Sequence, residues 1–405
     1  MRSFATAGRI LRSDDPAAHP SRESGVNNRA LNVVHVVRAI QTGGLETLVL
    51  EMCLQMQRLP GMEVHVCALQ PGDELEHWDR YLGIPRTVIS ASERNSQLAS
   101  ISALARLFRR KRPDVVHLHN FLSHVNGGLA ARLVGVPAVV TTKHGAGWPL
   151  VHGSSRVAGW CWRLSHVVVA VSADVQQGFQ AFYGFPPGRT RLILNGIDTN
   201  RFRPVEGDRE EQRRRIVGLS GSPLLGTVCR LVDGKGIRTL LTAFATVAAQ
   251  APRAALVIVG DGEDRGSLEQ ETSRLGLRDR VAFLGNRADV EAIYPLLDIY
   301  VQPSYAEGIS LTMLEACSCA LPVVATTVGG NPEIVSEGQN GYLVPPRDAP
   351  ALASAILAQW KAPEVARAMG ESARRRVVEC FSIERMVQNY VELYRDIQAA
   401  RGSRR

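Results

Sequence analysis

Residues 224–262 read LLGTVCRLVDGKGIRTLLTAFATVAAQAPRAALVIVGDG, and this stretch decides the fold class. Two short runs of apolar and branched residues, Leu224–Cys229 and Ala255–Gly260, flank a longer run with helical spacing. Runs that are apolar along their whole length are typical of strands buried on both faces of a parallel sheet, and a helix usually joins such strands. The stretch therefore predicts a strand–helix–strand unit of a parallel α/β sheet.

The same alternation continues along most of the 405-residue chain, which is long enough for two ordinary domains. It predicts an α/β protein with two doubly wound, Rossmann-like domains that face each other across a cleft, with a ligand at the carboxyl ends of the strands. Besides the two strands above, the predicted strands are Leu31–Val37, Val64–Leu69, Val115–His119, Ala138–Thr142, His166–Val171, Arg191–Leu194, Val281–Leu284, Ile299–Gln302, Val323–Ala325 and Gly341–Val344.

The domain boundaries follow from breaks in this pattern. Residues 29–204 form the first predicted domain and residues 205–382 the second, with the polar segment 199–221 as the linker. The helical segment 383–399 follows the second domain without a new strand and is expected to cross back over the first. Residues 1–28 lack the apolar core of a secretion signal and are expected to be a disordered extension, and residues 400–405 a basic tail.

The composition excludes several classes of protein. With 45% hydrophobic and 21% charged residues, the chain is too apolar to be disordered, and no apolar run reaches the roughly 18–20 residues of a membrane-spanning helix. Seven scattered cysteines without paired C-x-x-C spacing favour buried thiols in a reducing compartment over a zinc site. We therefore expect a cytoplasmic protein.

The net charge of +8 is unevenly placed along the chain. Residues 29–204 carry 19 Lys and Arg against 11 Asp and Glu, whereas residues 205–400 carry 21 against 25. This distribution does not fit a protein coated in positive charge for nucleic acid, so no nucleic-acid partner is expected. It suits a first domain that meets an anionic membrane surface or an anionic lipid-linked substrate, and an accidental surface distribution is equally open.

A loop with two cations follows the first strand of the quoted stretch. Arg230 and Lys235 stand five residues apart, and Gly234 and Gly236 flank the lysine where a helix begins. Such a pair suits a diphosphate, although the spacing is not that of a Walker P-loop, and a solvated charge is the alternative. The chain has 43 Arg but four Lys, so we interpret a lysine in this loop as a required residue.

Two further glycine turns follow predicted strands. Gly43 and Gly44 open the first helix, where backbone N–H groups attract an anion, but an ordinary strand-to-helix turn is equally open. The turn Gly260-Asp-Gly262 fails as a dinucleotide fingerprint, because its third glycine, Gly266, comes one place late. We interpret it as a glycine turn beside a nucleotide.

The segment PSYAEGISLTMLEA, residues 303–316, places two carboxylates around a helix start. Glu307 lies in the loop after a strand, the helix begins near Ser310, and Glu315 lies on its side. Free N–H groups of a helix start bind phosphate, and carboxylates accept hydrogen bonds from sugar hydroxyls. The alternatives are a carboxylate that favours the helix dipole at Glu307, and a surface carboxylate or a buried one with a partner at Glu315.

Together these motifs resemble those of glycosyltransferase family 4, a group of retaining enzymes with the GT-B fold. The resemblance runs from about Leu31 to Tyr394, with the motifs in the family's order. They are GGLE (43–46), DVVHLH (114–119), TTKHG (141–145), VSADV (171–175), LNGIDTNRF (194–202), the Arg230/Lys235 loop, VGDG (259–262), the Glu307/Glu315 pair and GGNPEIV (329–335).

The resemblance implies a role for each matching residue. Arg230 and Lys235 would bind the diphosphate of a nucleotide-sugar donor, Glu307 would hold the transferred sugar, and Glu315 would bind the ribose hydroxyls. His144, for which a structural role is otherwise equally open, would lie near the reacting sugar. The implied catalytic residues are Glu307, His144, Arg230 and Lys235; the implied donor-binding residues are Gly43, Gly44, Arg230, Lys235, Gly262, Asn286, Arg287, Glu307, Gly308, Ile309, Ser310, Leu311 and Glu315.

The implied reaction expels a nucleoside diphosphate through an oxocarbenium-like transition state, so positive charge at the leaving group lowers the barrier. The sequence has no two aspartates in the D-x-D spacing with which many sugar-nucleotide enzymes of the other common fold bind a metal. We expect no metal and no cofactor, with Arg230, Lys235 and the helix start as electrophiles. A UDP-hexose is the default donor, and same-face attack is favoured.

The expected acceptor is a glycan or a lipid-linked sugar of cell-surface polysaccharide or glycolipid assembly. Apolar residues between Leu98 and Phe108 recur at helical spacing before Arg109–Arg112. This pattern fits either a basic helix resting on anionic lipid, at the inner face of the membrane, or a core helix with a solvated end. A sugar-nucleotide epimerase and a binding protein with a decayed site are the alternative functions, and the intact motif set argues against both.

Overall fold

The computed structural model of the chain describes residues 30–41, 43–72, 78–89, 96–145, 161–205, 209–219 and 221–402. The strands in these ranges are β1 (Leu31–Val37), β2 (Met62–Ala68), β3 (Arg86–Val88), β4 (Val115–His119), β5 (Ala138–Lys143), β6 (Val167–Ala170), β7 (Thr190–Leu192), β8 (Leu224–Val228), β9 (Ala255–Val259), β10 (Val281–Gly285), β11 (Ile299–Gln302), β12 (Val323–Thr326) and β13 (Gly341–Val344).

The described strands form two parallel sheets. Seven strands pair in the order β3-β2-β1-β4-β5-β6-β7, and six pair in the order β10-β9-β8-β11-β12-β13. In each sheet the first strand along the chain lies near the centre, and the chain leaves it first to one side and then to the other. The predicted α/β class, with two doubly wound units, is confirmed.

Helices cover the faces of both sheets. Those in the described ranges are α1 (Gly44–Gln57), α2 (Gln97–Lys111), α3 (Phe121–Leu133), α4 (Ala173–Tyr183), α5 (Arg209–Gln212), α6 (Ile237–Gln250), α7 (Arg265–Arg274), α8 (Val290–Ile293), α9 (Leu311–Ser318), α10 (Asn331–Ile334), α11 (Ala349–Lys361), α12 (Pro363–Cys380) and α13 (Ile383–Gly402). Since both faces are covered, all five residues of β4 and all five of β9 are buried.

The last helix, α13, belongs to the core of the first domain. Ile383, Tyr390 and Tyr394 pack among residues of β1, β2 and α1. The helix extends through Gly402, so the first three residues of the predicted basic tail are helical, and residues 403–405 lie outside the described ranges, as do residues 1–29. The expected return of the segment 383–399 to the first domain therefore agrees with the packing of these three side chains.

The segment predicted to be a polar linker is partly structured. Helix α5 continues into a π-helical turn, Arg213–Val217, and the Arg213 side chain is buried. Its guanidinium donates to Asp298 Oδ1 at 2.6 Å and to the Leu296 carbonyl at 2.8 Å. The arginine-rich composition concealed this element, because a buried, paired arginine cannot be told from a solvated one without its partner.

The structure also decides between the two interpretations of the helix before Arg109. Leu104, Ala105 and Phe108 of α2 are buried in the core of the first domain, and Leu98 is the exposed one. The interfacial-helix interpretation was therefore wrong about these side chains, which face protein. None of the helices in the described ranges combines the length and the apolarity needed to cross a membrane.

Candidate active site

Loops at the carboxyl ends of β8 and β11 bring Lys235 onto Glu307. The lysine Nζ lies 2.6 Å from Glu307 Oε1, and Gln302 Nε2 donates to the same oxygen at 2.8 Å. The Tyr305 backbone N–H donates to the Gly234 carbonyl at 2.8 Å and fastens the two loops together. The predicted cation and the predicted sugar-binding carboxylate therefore form one ion pair, in which Glu307 is 9% exposed and Lys235 28%.

The glycine that follows Lys235 is required by a close backbone approach. Gly236 has φ +68°, and a Cβ there would lie 2.0 Å from the Pro303 carbonyl oxygen. Gly262 has a similar reason, since its Cβ would lie 2.3 Å from the Leu231 carbonyl oxygen. Gly262 thus packs against the loop that carries the exposed Arg230, and this contact explains the glycine in terms of the loop's shape.

Helix α9 begins where the sequence predicts, and Ser310 caps it by accepting the Met313 N–H at 3.3 Å. The loop before it is supported by two glycines from the GGNPEIV motif. Gly330 donates its N–H to the Gly308 carbonyl at 2.7 Å, and a Cβ on Gly329 (φ +50°) would lie 1.8 Å from the Glu307 carbonyl oxygen. Sequence reasoning used this motif as a landmark and missed its supporting role, for which adjacent glycines were the available signal.

Glu315 is half-buried and has a partner, so it lies closer to the partnered alternative than to the surface one. Tyr294, itself buried, donates its hydroxyl hydrogen to Glu315 Oε2 at 2.7 Å. Burial raises the pKa of Glu315 to about 7, while the Tyr294 hydrogen bond and the charge of Arg201 act in the opposite direction. A carboxylate held this way offers its other oxygen to a ligand hydroxyl. Tyr294 was not identified from the sequence, because it lies in a different element, 21 residues away.

The first domain reaches the same place with its backbone at Gly44 and at His144. Gly44 faces Leu311 at the start of α9: a Cβ on Gly44 would lie 3.5 Å from the Leu311 Cδ1 atom. The His144 carbonyl oxygen lies so close to Gly308 that a Cβ there would be 2.4 Å away. Burial raises the pKa of Glu46, which follows the two glycines, and the charge of Arg230 acts against that rise.

Asn286 and Arg287, which the resemblance implies as donor-binding residues, lie beside the glycine turn that follows β9. Gly260 donates its N–H to the Gly285 carbonyl at 2.7 Å, so Asn286 and Arg287 follow directly from this contact. The Arg287 guanidinium forms two hydrogen bonds with Asp289, at 2.8 and 2.7 Å. This pairing holds the arginine within its own loop, and no hydrogen bond or ion pair among the described residues joins Asn286 or Arg287 to the Lys235–Glu307 pair.

A cluster of buried histidines lies beneath His144 and was not predicted as a site. Ring nitrogens of His35, His117 and His119 lie within 4.8 Å of one another, a spacing that a metal ion could bridge. His117, however, already bonds the Tyr394 hydroxyl at 2.6 Å and Thr142 at 2.7 Å. Both ring nitrogens of His117 and of His119 are already hydrogen-bonded, and His35 Nε2 is the one nitrogen of the three rings without a partner among the described residues. The cluster therefore fits a hydrogen-bonded network better than a metal centre.

Comparison with known proteins decides the family. The model of the glycosyl transferases group 1 matches residues 208–376, and that of glycosyltransferase family 4 matches residues 42–201. A GDP-mannose-dependent alpha-(1-6)-phosphatidylinositol monomannoside mannosyltransferase of Mycobacterium tuberculosis is 30% identical over 282 residues, 67% of this chain and 73% of that protein. The chain belongs to the family 4, group 1 glycosyltransferases.

Other relatives of this glycosyltransferase differ in their substrates. The UDP-Gal:alpha-D-GlcNAc-diphosphoundecaprenol alpha-1,3-galactosyltransferase of Escherichia coli is 29% identical over 313 residues, 74% of this chain and 80% of that protein. Anabaena HepE, solved with UDP and glucose, superposes with a TM-score of 0.79 at 23% identity, over 90% of this chain and 99% of that one. This likeness confirms the predicted GT-B fold.

Proposed function

We propose that this glycosyltransferase moves a hexose-type sugar from a UDP-sugar to a glycan or lipid-linked sugar acceptor in cell-surface polysaccharide or glycolipid biosynthesis, with retention and without a metal ion. The observation that carries the proposal is the Lys235–Glu307 pair before the start of α9, in which Lys235 belongs to the loop that also carries the exposed Arg230. We further propose that the enzyme works in the cytoplasm, at the inner face of the membrane, where the exposed basic end of α2, Arg109–Arg112, favours anionic lipid.

The proposed step uses the charges of the second domain. The bond between the anomeric carbon and the phosphate oxygen breaks as the acceptor oxygen bonds to that carbon, and the acceptor proton passes to the leaving phosphate. Arg230 and Lys235 stabilise the negative charge that develops on the diphosphate, and the N–H groups of Gly308–Leu311 add the positive end of the helix dipole. Lys235 has three N–H donors, so it can keep Glu307 and still meet a phosphate.

The surroundings of Glu307 support same-face attack over a covalent intermediate. Its Oε1 already accepts hydrogen bonds from Lys235 and from Gln302. A carboxylate with two donors on one oxygen is a weaker nucleophile, because these bonds stabilise its ground-state charge. The arrangement suits a group that orients sugar hydroxyls.

A binding screen tests the donor and the electrophiles together. The purified protein would be heated with UDP-, GDP- and ADP-sugars, with and without EDTA, alongside Lys235→Ala and the control Lys361→Ala. We expect a UDP-sugar to raise the Tm of the wild type and the control in EDTA, and to lose this effect in Lys235→Ala. If only a GDP-sugar raised the Tm, the donor would be a GDP-sugar and the proposed UDP-sugar would be wrong. If the rise in Tm required a metal ion, the assignment of Arg230 and Lys235 as the electrophiles would be contradicted.

The stereochemistry needs a separate measurement. Product formed from the identified donor, with water or a screened acceptor, would be examined by proton NMR within the first turnovers. We expect the anomeric configuration of the donor to be kept. An inverted product would overturn the retaining assignment while leaving the donor site intact.

A further inference from the structure

The strand register brings four histidines to one face of the first sheet. His35 of β1 pairs in register with His117 of β4, and His119 of β4 pairs with Thr142 of β5. Because side chains alternate along a strand, residues two apart share a face, so His119 lies on the same face as His117, and His144, two residues after Thr142, continues it. Along this face the row of histidines runs toward the carboxyl ends of the strands, since His119 is the last residue of β4 and His144 follows the last residue of β5.

Three of these rings form a chain of hydrogen bonds. His35 Nδ1 lies 3.0 Å from His119 Nε2, and His119 Nδ1 lies 3.1 Å from His144 Nε2. His35 and His119 are completely buried, whereas His144 is half-buried. The chain therefore runs from the interior of the first domain to the rim of the cleft, where the His144 carbonyl meets Gly308.

The rings in this chain are neutral, because burial lowers the pKa of His35 and of His144 to about 3 and the pKa of His119 well below its ordinary value. A neutral imidazole has one N–H and one lone pair, so each ring can donate on one side and accept on the other. Two self-consistent arrangements exist for the whole chain. Fixing the tautomer of His119 therefore fixes which nitrogen of His144 carries the hydrogen.

At the outer end of this chain of hydrogen bonds, one ring nitrogen of His144 has no partner in the part of the protein that the structure describes. His144 Nδ1 is buried and has no hydrogen-bond partner among the described residues, while Nε2 is held by His119. His35 Nε2, at the inner end, also has no partner there, but His35 is completely buried, so of the two ends only His144 lies at the rim of the cleft. A buried polar atom without a partner costs free energy until a ligand or a water satisfies it. Nδ1 is therefore the atom through which His144 would meet a hydroxyl of the substrate.

We propose that His119 is a positioning residue for the transfer reaction: its ring holds His144 by Nε2 and, with His35 behind it, fixes the tautomer that His144 Nδ1 presents to the sugar. The inference rests on the proposed function for the role of His144 at the reacting sugar. His117 is on a different branch, since it bonds Thr142 and Tyr394 and so joins the sheet to α13.

Two substitutions at one position separate positioning from packing. In His119→Asn the amide nitrogen can replace Nδ1 and keep the bond to His144, whereas the longer side chain of His119→Gln can replace Nε2 and keep the bond to His35. We expect His119→Gln to lower kcat roughly 10- to 100-fold with little change in the donor KM, and His119→Asn to lower it less. Equal losses of kcat in the two variants would indicate a packing role and overturn the proposal.

A double-mutant cycle tests whether His119 acts through His144. We expect His119→Gln to have little further effect on kcat in the His144→Ala background, because the residue it positions is gone. Full additivity would overturn the proposal. If the wild type transfers no sugar from any nucleotide sugar, the proposed function fails, and this cycle is replaced by the measurement that follows.

A measurement on the free protein does not depend on activity. With ¹⁵N-labelled histidine, the imidazole shifts of His144, assigned by their loss in His144→Gln, report its tautomer. We expect one tautomer in the wild type and in His119→Asn, and a mixture in His119→Gln. A His144 tautomer that is unaffected by His119→Gln would overturn the inference, whatever the donor proves to be.

Discussion

The two sides of the cleft are built from different chemistry. The second domain presents charges, with Lys235 paired to Glu307 and Glu315 held by Tyr294. The first domain presents glycine backbone and neutral imidazoles, whose pKa values burial has lowered. A diphosphate is bound by fixed positive charge, whereas a sugar hydroxyl can be bound by a carboxylate or by a neutral hydrogen-bonding group such as an imidazole. Under the proposed function, the second side holds the diphosphate, and both sides meet the transferred sugar, Glu307 from the second domain and His144 from the first.

The largest expected effect comes from removing charge on the second side. Lys235→Ala should lower kcat about 100- to 1000-fold, because one preorganised donor at the leaving group is lost. Steady-state kinetics against Lys361→Ala, an exposed lysine whose Nζ bonds Gln250, provides the matched control. A loss confined to KM would mean that Lys235 binds the ground state and transition state equally.

The contact between the two sides gives the next effect. In Gly308→Ala the new Cβ would lie 2.4 Å from the His144 carbonyl oxygen, so the two sides must move apart. We expect kcat/KM to fall roughly 10- to 100-fold, since small displacements of reacting groups are costly. The control is Gly266→Ala, where a Cβ meets no atom within 4 Å. Wild-type kinetics in Gly308→Ala would show that this contact is not kept during turnover.

The raised pKa of Glu315, on the charged side of the cleft, predicts how the stability of the protein depends on pH. The folded-state pKa of about 7 lies above the ordinary value of 4.5, so the unfolded chain ionises first as the pH rises. Stability should therefore fall between pH 4.5 and 7, with the loss complete above pH 7. Glu315→Gln removes this loss and should raise Tm by roughly 1–3 °C at pH 8.

Glu315→Gln should also weaken nucleotide binding, because a ribose hydroxyl donates a weaker hydrogen bond to a neutral amide oxygen than to a carboxylate oxygen. Tm measured at pH 5 and pH 8, beside the exposed control Glu364→Gln, checks the stability part. A gain in Tm that is the same at both pH values would contradict the assignment of the raised pKa. Unchanged nucleotide affinity in Glu315→Gln would show that Glu315 does not bind the ribose hydroxyls.

The smallest effect is expected where ion pairs join the domains. Arg201 lies 3.6 Å from Glu51 of α1 and 2.9 Å from Glu291 of α8, so one guanidinium spans both domains. Arg201→Gln should cost about 1 kcal/mol or less in the free energy of unfolding, because Glu291 is 35% exposed and water screens its pair. Urea unfolding measures this change in the free energy of unfolding, with Arg274→Gln, which loses an ion pair within one domain, as the control. Equal losses of unfolding free energy in the two variants would show that the ion pairs between the domains contribute no more than a pair within one domain.

The charged side of the cleft was the more predictable of the two. Lys235, Glu307, Ser310 and Glu315 lie on two short segments, and glycines and a helix start mark them in the sequence. The first side gave weaker signals. His35, His119 and His144 come from three segments, and only the register of β1, β4 and β5 puts their rings in one chain.

The sequence by itself determined the α/β class, the two parallel sheets and the family, because strand and helix periodicities and loop motifs are local patterns. The tertiary structure alone decided that α2 buries its apolar face, that Arg213 pairs with Asp298, and that Tyr294 holds Glu315. These contacts join residues far apart in the chain. Their energies depend on burial and on distances of a few ångströms, and neither quantity is written in the order of residues.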